Sequence, residues 1–558
     1  MHLASETIGP LPIINHFLSS SHIEEVLRQH LDRSGSARSS HARCIGVLLR
    51  NIIMAREPLY ALQEWAAPYR QDLLGLTAGS GYALTDDKVG RALDHLFDLD
   101  RASFLTEVVV RVIREFQLDL EEFHNDTTTV SFSGKYEEAT GQKVHGKPTI
   151  AITFGKSKDH RPDLKQLLWS LTVTVDGAVP VHYKVYDGNT NDAPTHIETW
   201  TALRLLLGRS NFLYVGDSKL CSEGTLQYIH GQGGLFLTVL PRTRKEDSLF
   251  REWMQTHEPT WTEVCREEPA FIGGDWNVLR MMESPIPASD GFRLVWIWSS
   301  RMAAVDCETR EDIMGRAIIR IEKLETKLCN PRTWYRSREA VATATERAIG
   351  DKAKCWADYE VSEKEEVSYR QGKRGRPGKN TQYIRQTRIR YHVKWKPKEE
   401  TIVYDARTDG MFPLLTNSGE LSLKELLSAY KFQPKLEKRH EQLKTVYGVA
   451  PVFLKKITRI EALLCVYFLA LLIEALIERE LRKAMNARGL KTVPLYPEDR
   501  ACDAPTTDKL LQAFNMVQLH RLNEGVKEFK VFPPVLSEKQ QDLLGLLGVP
   551  GEAYTSLK

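Results

Sequence analysis

The sequence lacks three features that would assign it at once to a specialised class of protein. Its 8 cysteines in 558 residues form no Cys-x-x-Cys pair and have no histidine at zinc-site spacing, which argues against a disulfide scaffold or a zinc-finger framework. The longest apolar run, Ala462 to Ile473, is much shorter than the roughly 20 residues that span a bilayer. The N-terminus has no secretory signal pattern. These absences predict a soluble cytoplasmic protein with reduced thiols and no membrane partner.

The sequence also has no excess of one charge and no nucleotide-binding fingerprint. The 76 Lys and Arg residues almost balance the 73 Asp and Glu residues, so any electrostatic preference for a ligand has to be local. No phosphate-loop glycines, dinucleotide-binding pattern or Ser-His-Asp spacing occurs, so no nucleotide cofactor is expected. With 42% hydrophobic and 27% charged residues, the composition is that of an ordinary globular chain with large cores.

The hydrophobic pattern changes along the chain and predicts an α/β protein built from five segments. Apolar residues at helical spacing indicate an all-α domain in residues 1–115. Residues 116–240 predict the order β-β-β-α-β-α-β, with Asp176-Gly177 as a hairpin turn. The remaining segments are a Trp-containing, β-rich insertion in residues 241–425, a helical segment in residues 426–490 and a helical tail in residues 491–558.

Two aspartates occupy positions at which a sheet exposes side chains to a ligand. Asp126 lies in a polar island within the first strand-like run, and Asp217 follows the apolar strand Asn211 to Gly216. Taken singly, each also fits a helix-cap or turn role. If the first and fourth strands lie side by side, the two carboxylates meet, and this joint placement favours a functional site over two unrelated turns.

A third carboxylate is expected from the helical segment that follows Tyr430. Glu437, Glu441 and Lys444 are four and seven residues apart and share one helix face, so geometry leaves both glutamates open. The simplest alternative is a solvated helix face. Two or three converging carboxylates suit Mg²⁺ or Mn²⁺, which prefer oxygen ligands and keep open positions for a phosphate. The pattern therefore predicts phosphodiester chemistry, with two metal ions in the site.

These motifs resemble those of DDE transposases of bacterial insertion elements, in the subgroup whose ribonuclease H-like core is split by a β-rich insertion. Asp126-Thr127-Thr128 is similar to the first aspartate motif of the family, and Val215-Gly216-Asp217-Ser218-Lys219 to the second. Tyr430, Glu437 and Lys444 match the spacing of its Tyr-x2-Arg-x3-Glu-x6-Lys signature. Gln433 stands where that signature has Arg, which removes one expected phosphate contact.

The resemblance implies a fold, an activity and a set of site residues. It implies a ribonuclease H-like core and selects Glu437 rather than Glu441 as the third catalytic carboxylate. Asp126, Asp217 and Glu437 would hold two Mg²⁺ or Mn²⁺ ions, and Tyr430 and Lys444 would position phosphate. The implied reaction is cleavage at the ends of an insertion element followed by strand transfer into target DNA. Such an enzyme would act on double-stranded DNA as a homodimer or a larger synaptic complex, close to the nucleoid of a prokaryote.

One strongly basic segment fits a nucleic-acid partner. Between residues 370 and 398 the sequence has eleven Lys or Arg residues and no acid. Alternation from Arg388 onward predicts a strand with one packed face and one basic face, although a solvated edge strand would look similar. Upstream, an Arg-Gly-Arg-Pro core resembles an AT-hook, with a flexible basic loop as its alternative. The predicted DNA-binding residues are Arg374, Arg376, Arg388, Arg390, Lys394 and Lys396.

Two other functions remain compatible with the sequence. One is a ribonuclease H-like DNA nuclease that cuts without strand transfer. The other is a catalytically silent, transposase-derived DNA-binding protein. The departure from the family signature at Gln433 slightly favours this alternative. Joining of cut ends to a second DNA separates a transposase from a nuclease, and metal-dependent cutting separates both from a binding protein.

Overall fold

The computed structural model describes residues 2–32, 41–76, 84–269, 273–448, 454–524 and 527–556. The chain divides into two compact units. Unit 1 comprises Met1–Thr238 and Leu427–Lys558, and unit 2 comprises Val239–Leu426. Unit 2 therefore interrupts unit 1 in the sequence, close to the limits expected for the insertion.

Unit 1 begins with one strand and a group of helices. Thr85 and Asp100 cap two of these helices, because their side chains accept hydrogen bonds from the backbone N–H groups of Lys88 and Ser103. The sequence analysis missed the initial strand, which has no hydrophobic alternation. The elements are β1 (His2–Thr7), α1 (Leu11–Ser20), α2 (Ile23–Leu31), α3 (His41–Met54), α4 (Leu62–Ala66), α5 (Asp86–Asp98) and α6 (Arg101–Phe116).

The next part of unit 1 has the predicted order of strands and helices. Residues 149–154, between the short strands and the second long strand, form only isolated bridges. Gly177 has φ +102° in the hairpin between the second and third long strands, a conformation that glycine adopts without strain. The elements are β2 (Glu122–Phe132), β3 (Lys143–Val144), β4 (Lys147–Pro148), β5 (Lys165–Thr174), β6 (Pro180–Asp187), α7 (Asp192–Leu207), β7 (Leu213–Gly216), α8 (Glu223–Gly231) and β8 (Leu235–Val239).

The long strands of unit 1 form a mixed sheet in the order β6-β5-β2-β7-β8. β2 is antiparallel to β5 and parallel to β7, and β7 is parallel to β8. The first and fourth long strands along the chain are therefore neighbours, as the sequence analysis required. This is the strand order of a ribonuclease H-like sheet, and the predicted α/β fold class is confirmed.

Unit 2 contains an antiparallel sheet in the order β14-β11-β10-β9, a separate two-stranded ribbon and four helices. The predicted strand at residues 386–405 ends earlier, at Pro397, and its last residues form a helix. The elements are α9 (Lys245–Thr256), β9 (Thr262–Glu267), β10 (Asn277–Glu283), β11 (Arg293–Ser299), α10 (Ser300–Leu328), α11 (Arg338–Ile349), β12 (Ala357–Gln371), β13 (Tyr383–Pro397), α12 (Glu399–Ala406) and β14 (Met411–Thr416).

The ribbon of β12 and β13, residues 357–397, is called the arm. Its strands pair in register from Ala357 opposite Pro397 to Gln371 opposite Tyr383. The root of the arm packs on α10 and α11, and the outer part is exposed, with Tyr369 67% accessible. An isolated two-stranded ribbon is only marginally stable in water, so its attachment at the root matters for the conformation of the whole arm.

The last part of unit 1 is organised around one long apolar helix, α15, which packs against α3, α5, α17 and β6. By length and composition it could cross a bilayer, but 89% of its most apolar window is buried, as expected for a core helix. The predicted helical tail also contains strands, and β17 pairs with β1. The elements are α13 (Leu423–Tyr430), α14 (Gln433–Glu441), a π-helical turn (Gln442–Val446), α15 (Ile457–Ala487), β15 (Val493–Pro494), β16 (Ala501–Cys502), α16 (Thr507–Gln512), β17 (Gln518–Glu524), β18 (Lys527–Phe532), α17 (Glu538–Leu547) and α18 (Glu552–Thr555).

Candidate active site

Asp126 and Asp217 lie next to each other on neighbouring parallel strands of unit 1. In the register of β2 and β7, Asn125 is opposite Gly216, and each aspartate is the next residue of its chain. The charge of Asp217 acts on Asp126 and contributes to raising its pKa. The sheet order therefore brings together the two carboxylates that the sequence analysis singled out.

Asp126 is partly buried beside a lysine from the loop that follows β4. Burial is the main cause of the raised pKa of Asp126, and the charge of Lys158 opposes it. The Nζ atom of Lys158 lies 3.6 Å from Oδ1 of Asp126 and donates a hydrogen bond to the carbonyl oxygen of Thr127. Lys158 therefore places a positive charge directly at the first aspartate.

Asp217 has a different electrostatic environment. Burial acts to raise its pKa, but His196 and the backbone N–H of Lys219 outweigh it, and the pKa lies below its ordinary value. The Nε2 atom of His196, on α7, is 3.8 Å from Oδ1 of Asp217, and the Lys219 N–H donates to the same oxygen at 3.0 Å. The two aspartates thus differ in protonation tendency, with Asp217 favouring the ionised form more strongly.

Helix α14 packs against β2, and together with the π-helical turn that follows it contributes three side chains of interest. Glu437 lies on the exposed side of the helix, and its charge, after burial, contributes to the raised pKa of Tyr430. His440 is buried, with Nε2 3.8 Å from Oδ2 of Asp126. In the following π-helical turn, Lys444 donates to Oδ1 of Asp159 at 2.6 Å. Of the described residues on this helical segment, His440 has the shortest ion-pair distance to Asp126.

The residues around the two aspartates fit a divalent cation. Both ring nitrogens of His440 and the Nε2 atom of His196 are buried without a hydrogen-bond partner among the described residues. Buried polar atoms are nearly always satisfied, so these nitrogens are suited to meet a bound water or ion. Carboxylate oxygens with nearby imidazoles form a donor set that Mg²⁺ or Mn²⁺ accepts, Mn²⁺ tolerating nitrogen more readily.

Three residues beside the carboxylates were missed by the sequence analysis: Lys158, His196 and His440. The clearest available signal was at His440, because it lies only three residues after Glu437 on the same helix. Lys158 lies in the loop between β4 and β5, where no local pattern marks it. His196 gave no signal, because a histidine within a helix is more often a core residue.

The six predicted DNA-binding residues of the arm fall into two groups. Arg374 and Arg376 lie in its exposed turn, and Lys394 and Lys396 are exposed near its root. Arg388 and Arg390 are half-buried, and their guanidinium groups donate to main-chain carbonyls of residues 329–333, just after α10. These carbonyls lie at and just after the C-terminal end of α10, so the two arginines attach the arm to its own unit, a role that strand alternation does not reveal.

Comparison with known proteins gives limited matches. Residues 3–110 match a family model described as a domain of unknown function, DUF4277. No curated protein matches the chain. Among solved structures, the chain is similar to the cryo-EM structure of a piggyBac transposase synaptic complex with hairpin DNA, with 10% identity and a TM-score of 0.36 over 92% of this chain and 82% of that chain. The function therefore has to be argued from the site itself.

Proposed function

We propose that this chain is a DNA transposase that cleaves the ends of an insertion element and transfers the strands into target DNA. The observation that carries the proposal is the meeting of Asp126 and Asp217 at adjacent parallel strands of a ribonuclease H-like sheet. Helix α14, with Glu437, packs against the first of these strands. The sequence signature around Tyr430, Glu437 and Lys444 adds the chemistry of a known class of DNA-processing enzyme.

In this proposal Asp126, Asp217 and Glu437 are the catalytic carboxylates and hold two Mg²⁺ or Mn²⁺ ions. When bound, such ions activate the attacking oxygen and stabilise the leaving oxygen of an in-line displacement at phosphorus. The three carboxylates would bind these ions and hold them in position. Asp217, with its lowered pKa, is ionised over the whole neutral range, and Asp126 depends on Lys158 to offset the effect of burial.

Positive charges around the carboxylates are suited to hold a phosphodiester. Lys158 lies beside Asp126, and Lys444 is paired with Asp159. When DNA enters, each ammonium group could leave its carboxylate and contact a phosphate instead. An ammonium group acts as a compact point charge against the negative charge that develops in the transition state. Tyr430 would position the phosphate through its hydroxyl.

The arm of unit 2 is proposed to contact double-stranded DNA. Its outer part and turn, residues 367–387, contain six Lys or Arg residues and no acid, together with the exposed Tyr369 and Tyr383. Arg374, Arg376, Lys394 and Lys396 would neutralise phosphates, with the two arginines also able to enter a narrow minor groove. Binding two element ends would require a homodimer or a larger synaptic complex. The proposed location is the cytoplasm, near the nucleoid.

The proposal is tested by incubating the purified protein with DNA that flanks its own gene, with and without Mg²⁺. End cleavage and joining to a plasmid are scored separately. We expect Asp217→Asn to abolish both reactions while leaving DNA binding intact. Asp163→Asn is the matched control, because Asp163 is an exposed carboxylate paired only with Arg161 in the nearby loop. Wild-type cleavage rates in Asp217→Asn would contradict the proposal.

The same assay separates the two alternatives. Metal-dependent cleavage without joining would indicate a ribonuclease H-like nuclease. Salt-sensitive DNA binding without cutting would indicate a silent, transposase-derived DNA-binding protein. The convergence of Asp126 and Asp217 with unsatisfied histidines disfavours the silent protein, because such a cluster is costly to bury without a ligand.

A further inference from the structure

A second cluster of potential metal ligands lies in unit 2, at the root of the arm. It consists of Glu325 on α10, Cys329 just after α10, and His392 on β13. One potential ligand atom from each of the three side chains lies within 4.8 Å of the others. The Nδ1 atom of His392 is 2.6 Å from Oε1 of Glu325, and the Sγ atom of Cys329 is 3.5 Å from the same oxygen.

We propose that Glu325, Cys329 and His392 form a Zn²⁺ site that fastens the root of the arm to α10. A thiolate, an imidazole and a carboxylate are the three ligand types that zinc takes in proteins. With Zn–N and Zn–S distances of about 2.1 and 2.3 Å, tetrahedral ligands lie roughly 3 to 4 Å apart, so only small side-chain movements are needed. Water would complete the coordination. The proposal is independent of the transposase activity.

The surroundings of the cluster already orient its members. The backbone N–H of Val393 donates to Oε2 of Glu325 at 2.8 Å, which leaves Oε1 directed at His392. The guanidinium of Arg390 donates to the carbonyl oxygen of Cys329 at 2.5 Å and fixes the backbone beside the thiol. Such outer contacts hold ligands in place and are typical of metal sites. Zn²⁺ would take the place of the direct contact between His392 and Glu325.

The position of the cluster gives the metal a physical role. Two of its ligands come from the C-terminal end of α10, and the third comes from β13, the second strand of the arm. The arm is a two-stranded ribbon and gains little stability from its own pairing. A metal bond across its root would hold β13 against the helix and limit motion of the exposed outer part.

The test uses the purified full chain, stripped of metal with a chelator, kept reduced, and titrated with Zn²⁺ in excess Mg²⁺ to cover the carboxylate site. We expect the wild type to bind one more Zn²⁺ per chain than Cys329→Ser or His392→Gln. The affinity for Zn²⁺ at this site should fall more than about 100-fold in either variant, because loss of an outer contact alone costs up to about 100-fold.

Cys307→Ser is the matched control. Cys307 is also an exposed cysteine on α10 and contacts a glutamate four residues later, Glu311, but it belongs to no such cluster among the described residues. This variant should keep the additional Zn²⁺. Equal stoichiometry in wild type and Cys329→Ser, or loss in Cys307→Ser as well, would overturn the proposal.

A spectroscopic measurement on the wild type covers the case in which Cys329→Ser fails to fold. Co²⁺ replaces Zn²⁺ in such sites, and coordination by a thiolate produces a sulfur-to-Co²⁺ charge-transfer absorption. The wild type should show this absorption at one equivalent of Co²⁺, and added Zn²⁺ should remove it. If the folded wild type shows no thiolate absorption, the site does not exist.

Discussion

The Nε2 atom of His440 lies 3.8 Å from Oδ2 of Asp126, and the histidine is buried. Burial, followed by the charges of Lys158 and Lys444, lowers the pKa of His440 to about 3. The imidazole is therefore neutral at any pH at which the protein works, so one of its two ring nitrogens carries a lone pair that a metal ion can use.

The first prediction concerns metal binding by the carboxylate site. Replacing His440 with Phe keeps the volume of the ring and removes both nitrogens. We expect the Mg²⁺ concentration for half-maximal cleavage to rise about 10- to 100-fold, the size of effect that a residue supporting a metal site has. His182→Phe is the control, because His182 is half-buried and its charged neighbours are Lys184 and Glu198. An unchanged Mg²⁺ midpoint in His440→Phe would remove His440 from the site.

The second prediction concerns the pH dependence of cleavage. Burial raises the pKa of Asp126, and the charge of Lys158 opposes this rise. Lys158→Met should therefore raise the pKa of Asp126 further, so the carboxyl is protonated at higher pH and cleavage is lost on the acid side. The fractional loss of rate should be greater at pH 6 than at pH 8. Lys156→Met, at an exposed position of the same loop, should leave the pH profile unchanged. An equal loss at both pH values would show that Lys158 does not act through Asp126.

The third prediction concerns stability. Burial, together with the charge of Glu478, raises the pKa of Glu474 on α15 from its ordinary value of 4.5 to about 8. Between these two values the unfolded chain releases the proton and the folded chain keeps it, so stability falls as the pH rises, by about 1.4 kcal/mol per pH unit for this group.

Glu474→Gln removes that ionisation. Its unfolding midpoint in urea should vary less with pH between 5 and 8 than that of the wild type, and at pH 9 the variant should be the more stable protein. Glu64→Gln, at an exposed position of α4, should follow the wild type. Parallel pH profiles of the wild type and Glu474→Gln would contradict the prediction.

The fourth prediction concerns the arm. Lys394 and Lys396 are exposed, whereas Arg388 and Arg390 bind carbonyls of their own unit. Replacing both lysines with Gln should reduce the magnitude of the slope of log association constant for DNA against log salt concentration by up to about 1.8, or about 0.9 for each lost phosphate contact. The double variant of Lys352 and Lys354, exposed lysines of the same unit, is the control.

The two arginines should behave differently from the lysines. Arg388→Gln should weaken the attachment of the arm and accelerate proteolysis within it, because the carbonyls of Pro331 and Thr333 lose their donor. If the double lysine variant has the salt slope of the wild type, this face of the arm does not contact phosphates.

Much of the fold could be predicted from the sequence because local patterns determine it. Short strand-like runs marked β2, β5 and β6, and Asp176-Gly177 supplied the turn between the last two. The apolar run within α15 marked a buried helix, since too few polar residues are present to form an exposed face. Asp126 and Asp217 could be paired from sequence because the strand order placed the first and fourth strands side by side.

The remaining features depend on residues far apart in the chain. Periodicity shows which side of a segment is buried, but not which segment covers it. β1 has no pattern of its own and is a strand because β17 pairs with it. Arg388 and Arg390 alternate like surface residues, yet they donate hydrogen bonds to main-chain carbonyls of residues 329–333.

The sequence by itself determined the α/β class, the order of the core elements and the two aspartates, because these follow from local hydrophobic patterns and from the geometry of parallel strands. Only the tertiary structure decided which cations and imidazoles surround them. Lys158, His196 and His440 come from three separate elements, and Glu325, Cys329 and His392 meet across a helix and a strand. Such groupings depend on long-range packing, which no spacing along the chain encodes.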